Sequence, residues 1–418
     1  MWCPLASTLA LVLPSALGRA ASLELECERR AAHVLGAADR AVLCENATSP
    51  SPAECVRAAH RGFGLSSGQL VELCVGATSN APGTCVARLG SGSSRTVPSS
   101  LRVELCKRDG SEEVAQCFQR IKATLPTELK VDVCKGSDTV APAECLNQAI
   151  RTLPDAAAAR LCQSSQSVAP AACAAARGVS GQPAELVQAL CTGATDLGPA
   201  ECFQRAAHAV GLSAGERAQL CQAASSDSPA RCFGEVRSGA LPTSHRLRLC
   251  RGTAGVAPAK CVSTVPPALS ADDRVALCAA AADADPMAPA VCLKQAPQTL
   301  PMAARVELCA GVADTAAADC ARAATSTLRS PADVVSLCRG APSGTPAACA
   351  AAAVKARAEP GHLIALCRGA TSMGPVSCFT AAPTRAPVEL RVELCAGAQS
   401  AAPGECLAAA LPQNRTPV

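Results

Sequence analysis

The sequence contains few aromatic side chains: its 418 residues include one Trp, five Phe and no Tyr. Hydrophobic residues make up 49% of the chain, but about 91 Ala and 28 Cys supply more than half of that share. Only about 20% of the chain is left for Leu, Val, Ile, Met, Phe and Trp, which is near the lower limit for folded proteins. We therefore do not expect one large core of the usual kind.

The chain also lacks an excess of charge of either sign. Its 38 basic and 34 acidic residues give a formal net charge of +4, and no run of like charge stands out. A basic stripe that could bind phosphates is missing, so we expect no nucleic-acid partner. We attribute the abundance of Ala and Arg and the scarcity of Lys to the codon usage of a GC-rich genome.

Long hydrophobic runs are absent as well, and no stretch reaches the roughly 18 apolar residues of a membrane span. Residues 1–20 are predicted to be a signal peptide, with an apolar stretch at residues 9–13 and the small residues Gly18 and Ala20 before the cleavage point. No Lys or Arg precedes the apolar stretch, so a buried N-terminus is the alternative. The tail, residues 412–418, has no hydrophobic segment for a lipid anchor. We expect a secreted, extracellular protein.

The cysteines reveal a tandem repeat in residues 21–411. After Cys3 and Cys27 they form thirteen pairs, and twelve of these have the same spacing along the chain, whereas one is wider. The period is about 29 residues, which indicates a repeat architecture. The evenly spaced pairs are Cys44 and Cys55, Cys74 and Cys85, Cys106 and Cys117, Cys134 and Cys145, Cys162 and Cys173, Cys191 and Cys202, Cys221 and Cys232, Cys250 and Cys261, Cys309 and Cys320, Cys338 and Cys349, Cys367 and Cys378, and Cys395 and Cys406. The wider pair is Cys278 and Cys292.

Other residues that recur with the cysteines predict two short helices in each repeat. Pro stands three residues before the second Cys in eleven units, which suits the first turn of a helix that we call helix A. In eleven units Pro or Ser stands eight residues before the first Cys, where a second helix, helix B, would begin. Gly two residues after the first Cys would stop helix B. Such short helices must stack on their neighbours to be stable.

The predicted fold is therefore all-α, with tandem two-helix repeats of about 29 residues stacked as a disulfide-stapled α-solenoid. A partial first unit around Cys27 precedes about 13 repeats. The format is similar to that of tetratricopeptide arrays, but their Trp, Tyr and Gly positions are missing, and no named family is recognised.

Two disulfide pairings agree with the repeat. One joins the pairs given above across the link between units and leaves Cys27 over, whereas the other joins the two helices of a hairpin and leaves Cys406 over. The constant spacing within the pairs favours the first, because a closed link would resist insertion, while the interval across a hairpin varies from unit to unit. Each bridge would contribute about 3 kcal/mol in the chain-entropy model.

The sequence contains no recognisable catalytic, cofactor or metal motif. No two cysteines are close enough for the usual zinc spacing, and the five histidines do not recur with them. We expect neither an enzyme nor a cofactor. Basic residues four positions before the first Cys could form a row along the helix B face that binds an anionic ligand or a polysaccharide, but a solvated helix face is the preferred interpretation. They are Arg40, Arg102, Lys130, Arg217, Arg246, Arg274, Arg305 and Arg391.

Two glycosylation sequons begin at Asn46 and Asn414 and agree with secretion. The leading hypothesis for function is a secreted, non-catalytic structural or binding scaffold that presents a repeated helical surface to an extracellular protein, matrix or cell-wall partner. The alternative is a secreted inhibitor or effector that acts on another organism's protein. Its activity would reside in one irregular unit, and the most irregular is 278–292, with its three-residue insertion.

Overall fold

The computed structural model describes residues 15–60, 64–90, 97–107, 110–122, 124–209, 211–237 and 239–411, without side chains for 15–21. Within these ranges all regular secondary structure is α-helical, so the predicted all-α class is confirmed. Apart from the backbone of residues 15–20, the predicted signal peptide lies outside the described residues, as does the tail 412–418. None of the described helices is long and apolar enough to cross a membrane.

The chain forms two compact units, which divide between α14 and α15. The helices of the first unit are α1 Ser15–Ala31, α2 Ala37–Cys44, α3 Ser51–His60, α4 Ser67–Cys74, α5 Ala81–Leu89, α6 Ser99–Cys106, α7 Glu112–Arg120, α8 Thr127–Cys134, α9 Ala141–Ala149, α10 Asp155–Cys162, α11 Ala169–Ala175, α12 Ala184–Cys191, α13 Gly198–Ala206 and α14 Ala214–Cys221. Those of the second are α15 Ser228–Glu235, α16 Thr243–Cys250, α17 Ala257–Thr264, α18 Ala271–Cys278, α19 Ala288–Gln295, α20 Met302–Cys309, α21 Ala316–Ala324, α22 Pro331–Cys338, α23 Thr345–Lys355, α24 Pro360–Cys367, α25 Gly374–Ala381, α26 Val388–Cys395 and α27 Ala402–Ala410.

Odd-numbered helices are helix A and even-numbered helices are helix B of successive hairpins. Within each unit, a helix A packs against the helix B of its own hairpin and against the helix A of the next hairpin, and helix B packs in the same way. Each unit is thus a two-layer helical stack, which is the predicted solenoid arrangement. The core lies between the layers and consists of Leu, Val, Ala, Phe and Cys.

The predicted start signals lie where the helices begin. Ser66 and Ser213 are N-caps of helix B, and their hydroxyls accept hydrogen bonds from the backbone N–H groups of Gln69 and Glu216. Pro occupies the N-cap of helix B in other hairpins, for example Pro183. Pro in the first turn of helix A is confirmed, because its missing N–H would have no partner inside the helix there.

The disulfides follow the pairing that we did not favour. Thirteen bridges join helix A to helix B of one hairpin, with Cα atoms 5.4–5.8 Å apart, so the preferred pairing across the link is wrong. Cys27 is bonded to Cys44 rather than left over. Cys406 is also disulfide-bonded. The bridges run from Cys27–Cys44, Cys55–Cys74 and Cys85–Cys106 through to Cys349–Cys367 and Cys378–Cys395.

The constant spacing between the two cysteines that flank a link has a different cause, which is a fixed turn. After Cys191, Thr192 has φ −60° and ψ 128°, Gly193 has φ 73°, and the N–H of Ala194 donates to the Cys191 carbonyl over 3.1 Å. These values define a type II turn, whose third residue needs positive φ and therefore favours Gly. The same conformation recurs with Asn, Ser or Ala in place of Gly, as at Asn46 (φ 58°).

The second part of the link is equally fixed in length. The Asp196 carboxylate accepts a hydrogen bond from the N–H of Gly198, the first residue of α13, over 2.8 Å. Ser79, Ser167 and Ser372 play the same part in other links. Three features together set the number of residues between the two cysteines: the type II turn, the side-chain hydrogen bond to the start of helix A, and the first turn of helix A. A covalent closure is not needed to explain it.

Peptide mapping without reduction tests the pairing. We expect a protease digest to contain Cys202 linked to Cys221 and Cys232 linked to Cys250, because each pair lies between two helices that already pack together. The measurement is mass spectrometry of the linked peptides before and after reduction. Recovery of Cys202 linked to Cys191 would contradict the structure and restore the pairing across the link.

Candidate functional site

The cysteines belong to the core and are not a reactive site. Those of the thirteen hairpin bridges are at most 1% exposed, and every one of them is bonded. In the part of the chain that the structure describes, no group of three or more His, Cys, Asp or Glu side chains is placed to hold a metal ion. His33, His60 and His208 are exposed near the ends of separate helices.

The row of basic residues on helix B does not form a solvated face. Arg102 is only 7% exposed, and Arg246, Arg305 and Arg391 are half-buried. The side chains of Arg246, Arg305 and Arg391 turn inward, toward helix A of the same hairpin. The exposed row that both interpretations of the sequence assumed is therefore wrong, and a polysaccharide surface made of these residues receives no support.

Three of the basic residues, Arg246, Arg305 and Arg391, cap the carboxyl end of helix A. Nη2 of Arg246 donates to the carbonyl of Phe233 over 2.6 Å, and Nη2 of Arg391 donates to that of Phe379 over 2.8 Å. These carbonyls lie in the last turn of helix A, where they have no partner within the helix. A cation at this end also interacts favourably with the helix dipole.

The guanidinium groups also stack on the aromatic rings of helix A. The guanidinium carbon lies 3.9 Å from the ring centroid of Phe233 for Arg246, and 4.0 Å from that of Phe379 for Arg391. Arg217 covers Phe203 in the same way at 4.7 Å. Burial lowers the pKa of Arg246 and Arg391, but a guanidinium remains charged. The arrangement is a structural cation–π contact.

The exposed surface of the stack does repeat, through ion pairs between neighbouring hairpins. On the helix A side, Arg30 pairs with Glu54 at 2.7 Å and Arg120 with Glu144 at 3.1 Å. On the helix B side, the residue after the first Cys pairs with an acidic residue of the preceding hairpin: Lys107 with Glu72, Lys135 with Glu104, and Arg339 with Glu307. Exposed pairs of this kind stabilise little, about 0–1 kcal/mol each.

The irregular unit 278–292 departs from the repeat in its link. Ala279 has φ −58° and ψ −30°, so the type II turn of the other links is not formed. Within the insertion, an Asp283 carboxylate oxygen accepts a hydrogen bond from the N–H of Ala257, the first residue of α17, over 3.2 Å. Asp285 caps the approach to α19 through the N–H of Met287 at 3.0 Å. The insertion thus bonds to the preceding hairpin.

An open cleft lies beside this unit, between the hairpins α17–α18 and α19–α20. Its volume is about 320 Å³, within the range of small-ligand sites. Three apolar side chains that line it are unusually exposed: Met287 (48%), Val291 (39%) and Met302 (45%). The repeat pattern predicted the irregular unit but not the cleft. The signal was present, since Val291 occupies the position before the second Cys, which is polar or Ala in the other units.

The two predicted glycosylation sites differ in what the structure describes. Asn46 is exposed in the first link, on the turn after Cys44. Asn414 lies outside the described residues.

No protein-family model matches this chain, and no curated protein matches its sequence.

Replacing Arg246 tests the structural part of these arginines. We expect Arg246→Ala to lower the free energy of unfolding by about 2 kcal/mol, because a charged hydrogen bond and a cation–π contact are lost together. Urea unfolding followed by circular dichroism measures the loss.

The matched control is Arg248→Ala, two residues along the same helix. Arg248 is exposed and pairs only with the exposed Asp272, so its loss should be at most about 1 kcal/mol. Equal losses for the two variants would show that Arg246 is no more than a surface charge.

Proposed function

We propose that the protein is a secreted, non-catalytic scaffold that presents a repeated helical surface to an extracellular protein, matrix or cell-wall partner. The observation that carries this proposal is the buried disulfide in each hairpin. Cytosolic thiols are kept reduced, so a chain that depends on many structural disulfides belongs in an oxidising compartment. The predicted signal peptide in residues 1–20 supports the same location.

The repeated surface supports a binding or structural part rather than catalysis. Ion pairs recur at equivalent positions of neighbouring hairpins, so a partner would meet the same pattern of charges several times. Weak contacts that repeat along one molecule add through effective concentration. A scaffold of this type binds through many units and needs no single site.

Secretion and glycosylation are tested together in a eukaryotic secretory host. We expect the chain in the medium, with its N-terminus at Ala21 and with a glycan at the exposed Asn46. Thr48→Ala removes this sequon without changing Asn46, whose φ of 58° a substitution would strain. Mass spectrometry should show one glycan fewer.

The control is Thr78→Ala, at the equivalent position of the next link, which has no sequon. It should leave the mass of the attached glycans unchanged. Retention of the intact chain inside the cell, or an N-terminus at Met1, would contradict the proposed location.

The second candidate function is a secreted inhibitor or effector that acts on another organism's protein. The apolar cleft beside unit 278–292 favours it, because exposed Met and Val side chains in one place offer a single contact site instead of a repeated one. The two candidates differ in how binding is distributed along the chain.

Deleting whole hairpins separates the two candidates. Residues 141–168 and residues 288–315 are hairpins of equal length, and each contains its own complete disulfide. Retention on the insoluble extracellular material of the producing cells is measured for the full chain and both deletions. A scaffold predicts a small loss, about twofold or less, for either deletion, because each hairpin interacts only with its neighbours.

Binding that is abolished only by deletion of 288–315 would show a single contact site and would contradict a surface that binds through many hairpins. If the full chain is retained no better than a reduced and alkylated sample, the scaffold proposal fails. Circular dichroism of both deletions confirms that the remaining hairpins stay folded.

A further inference from the structure

The cleft between the hairpins α17–α18 and α19–α20 is lined by four successive elements. The loop after α17 forms one wall, and Ser270 and Asp273 at the start of α18 extend it. The other lining residues are Met287, which precedes α19, the face of α19 that bears Val291 and Lys294, and the start of α20.

The apolar residues of the cleft are not required by the packing of the repeat. Val291 replaces a surface position that holds Glu in other units, such as Glu54 and Glu144. Met302 begins helix B where Thr127 and Thr243 begin it elsewhere. Because these side chains remain nearly half exposed, burial against neighbouring helices does not explain them.

Arg305, which lines the cleft, makes only part of the contact that Arg246 and Arg391 make. Like Arg246, it donates from Nη2 to the carbonyl of the residue after the second Cys, here Leu293, over 2.6 Å. In the hairpin of Arg246, however, that residue is Phe233, whose ring stacks on the guanidinium. Leu293 has no ring, so the planar group of a bound ligand could stack on the Arg305 guanidinium in the way that Phe233 stacks on Arg246.

The charged groups of the cleft favour an anion. Lys294 and Arg305 line it together with one carboxylate, that of Asp273. This carboxylate accepts a hydrogen bond from the Ser270 hydroxyl over 2.7 Å. Lys294 is exposed at the rim of the cleft, within reach of a ligand carboxylate.

We propose that this cleft binds a small aromatic carboxylate. Its ring lies between Met287 and Met302, whose sulfur atoms contact aromatic rings favourably, and meets the guanidinium of Arg305. Its carboxylate pairs with Lys294. This site is independent of the scaffold function, because it uses one cleft of the isolated protein and no macromolecular partner.

Methionine methyl NMR tests the proposal on the full-length protein. With ¹³C-methyl methionine labelling and 2-naphthoate as the probe, we expect the signals of Met287 and Met302 to shift together and to saturate. Met373, before α25 and outside the cleft, is an internal control that should not shift. Equal shifts at all three signals, or none, would overturn the proposal.

Two further probes identify the chemistry that is recognised. Cyclohexanecarboxylate keeps the charge without the planar ring, and 2-naphthalenemethanol keeps the ring without the charge. We expect both to bind about five- to tenfold more weakly than 2-naphthoate, since each loses one of the two contacts. Equal binding of the alcohol would show an apolar cleft with no selectivity for anions, which contradicts the proposed ligand class.

Two variants and one control assign the residues. Leu293→Phe places a ring next to Arg305, as Phe233 does next to Arg246. Because this ring takes the place of the ligand ring, the variant should bind 2-naphthoate at least about tenfold more weakly. Lys294→Gln should remove the preference for the carboxylate over the alcohol. Lys260→Gln, on the exposed surface of α17 and outside the cleft, should change neither.

A circular dichroism spectrum equal to that of the wild type shows that each variant is folded. Lys294→Gln alone still decides the outcome if Leu293→Phe is not folded. Wild-type affinity and selectivity in Lys294→Gln would exclude the proposed site.

Discussion

The disulfide between the two helices of each hairpin is the constraint on which the rest of the structure depends. Every helix B has eight residues, and helices of this length are unstable alone in water. The bridge closes a loop of 17 to 21 residues and so contributes about 3 kcal/mol by restricting the unfolded chain. The cysteines are also core residues, since their exposure is at most 1% in these bridges. A chain with few bulky apolar side chains thus obtains its stability hairpin by hairpin.

The helical class, the hairpin repeat and the helix starts could all be predicted from the sequence, because Pro and Ser act through local backbone chemistry. The disulfide pairing could not. Cys202 lies near both Cys191 and Cys221 along the chain, and either partner is consistent with the period. The constant spacing indicated the wrong partner, because the type II turn around Gly193 fixes that length without a covalent bond. A constant interval shows that a segment is geometrically fixed, but not how.

The basic row is a different kind of error, since the information was in the sequence. Arg246 stands four residues before Cys250, so both lie on the same face of α16, and Cys250 is buried. The same position holds Val187 and Leu363 in other hairpins, and these are core residues. The repeat period predicts only that equivalent residues form a row. The spacing of four residues from a buried cysteine predicts that this row lies on the inner face of helix B. The apolar residues of the cleft, in contrast, stand out from the repeat in the sequence, but the cleft itself depends on how two hairpins meet.

The abundance of Ala also has a structural cause beyond codon usage. Two residues before the second Cys, helix A meets the helix A of the preceding hairpin, and this position is Ala in most hairpins, as at Ala143, which is fully buried. At Gly83 the approach is closer still, because a Cβ atom there would lie 2.1 Å from the carbonyl oxygen of Cys55. Small residues thus predominate where one hairpin stacks on another, with Val376 as the exception, and large side chains lie mainly at other core positions or at the surface. A unit can acquire new chemistry only at its surface positions, and Val291 and Met302 are surface positions of this kind.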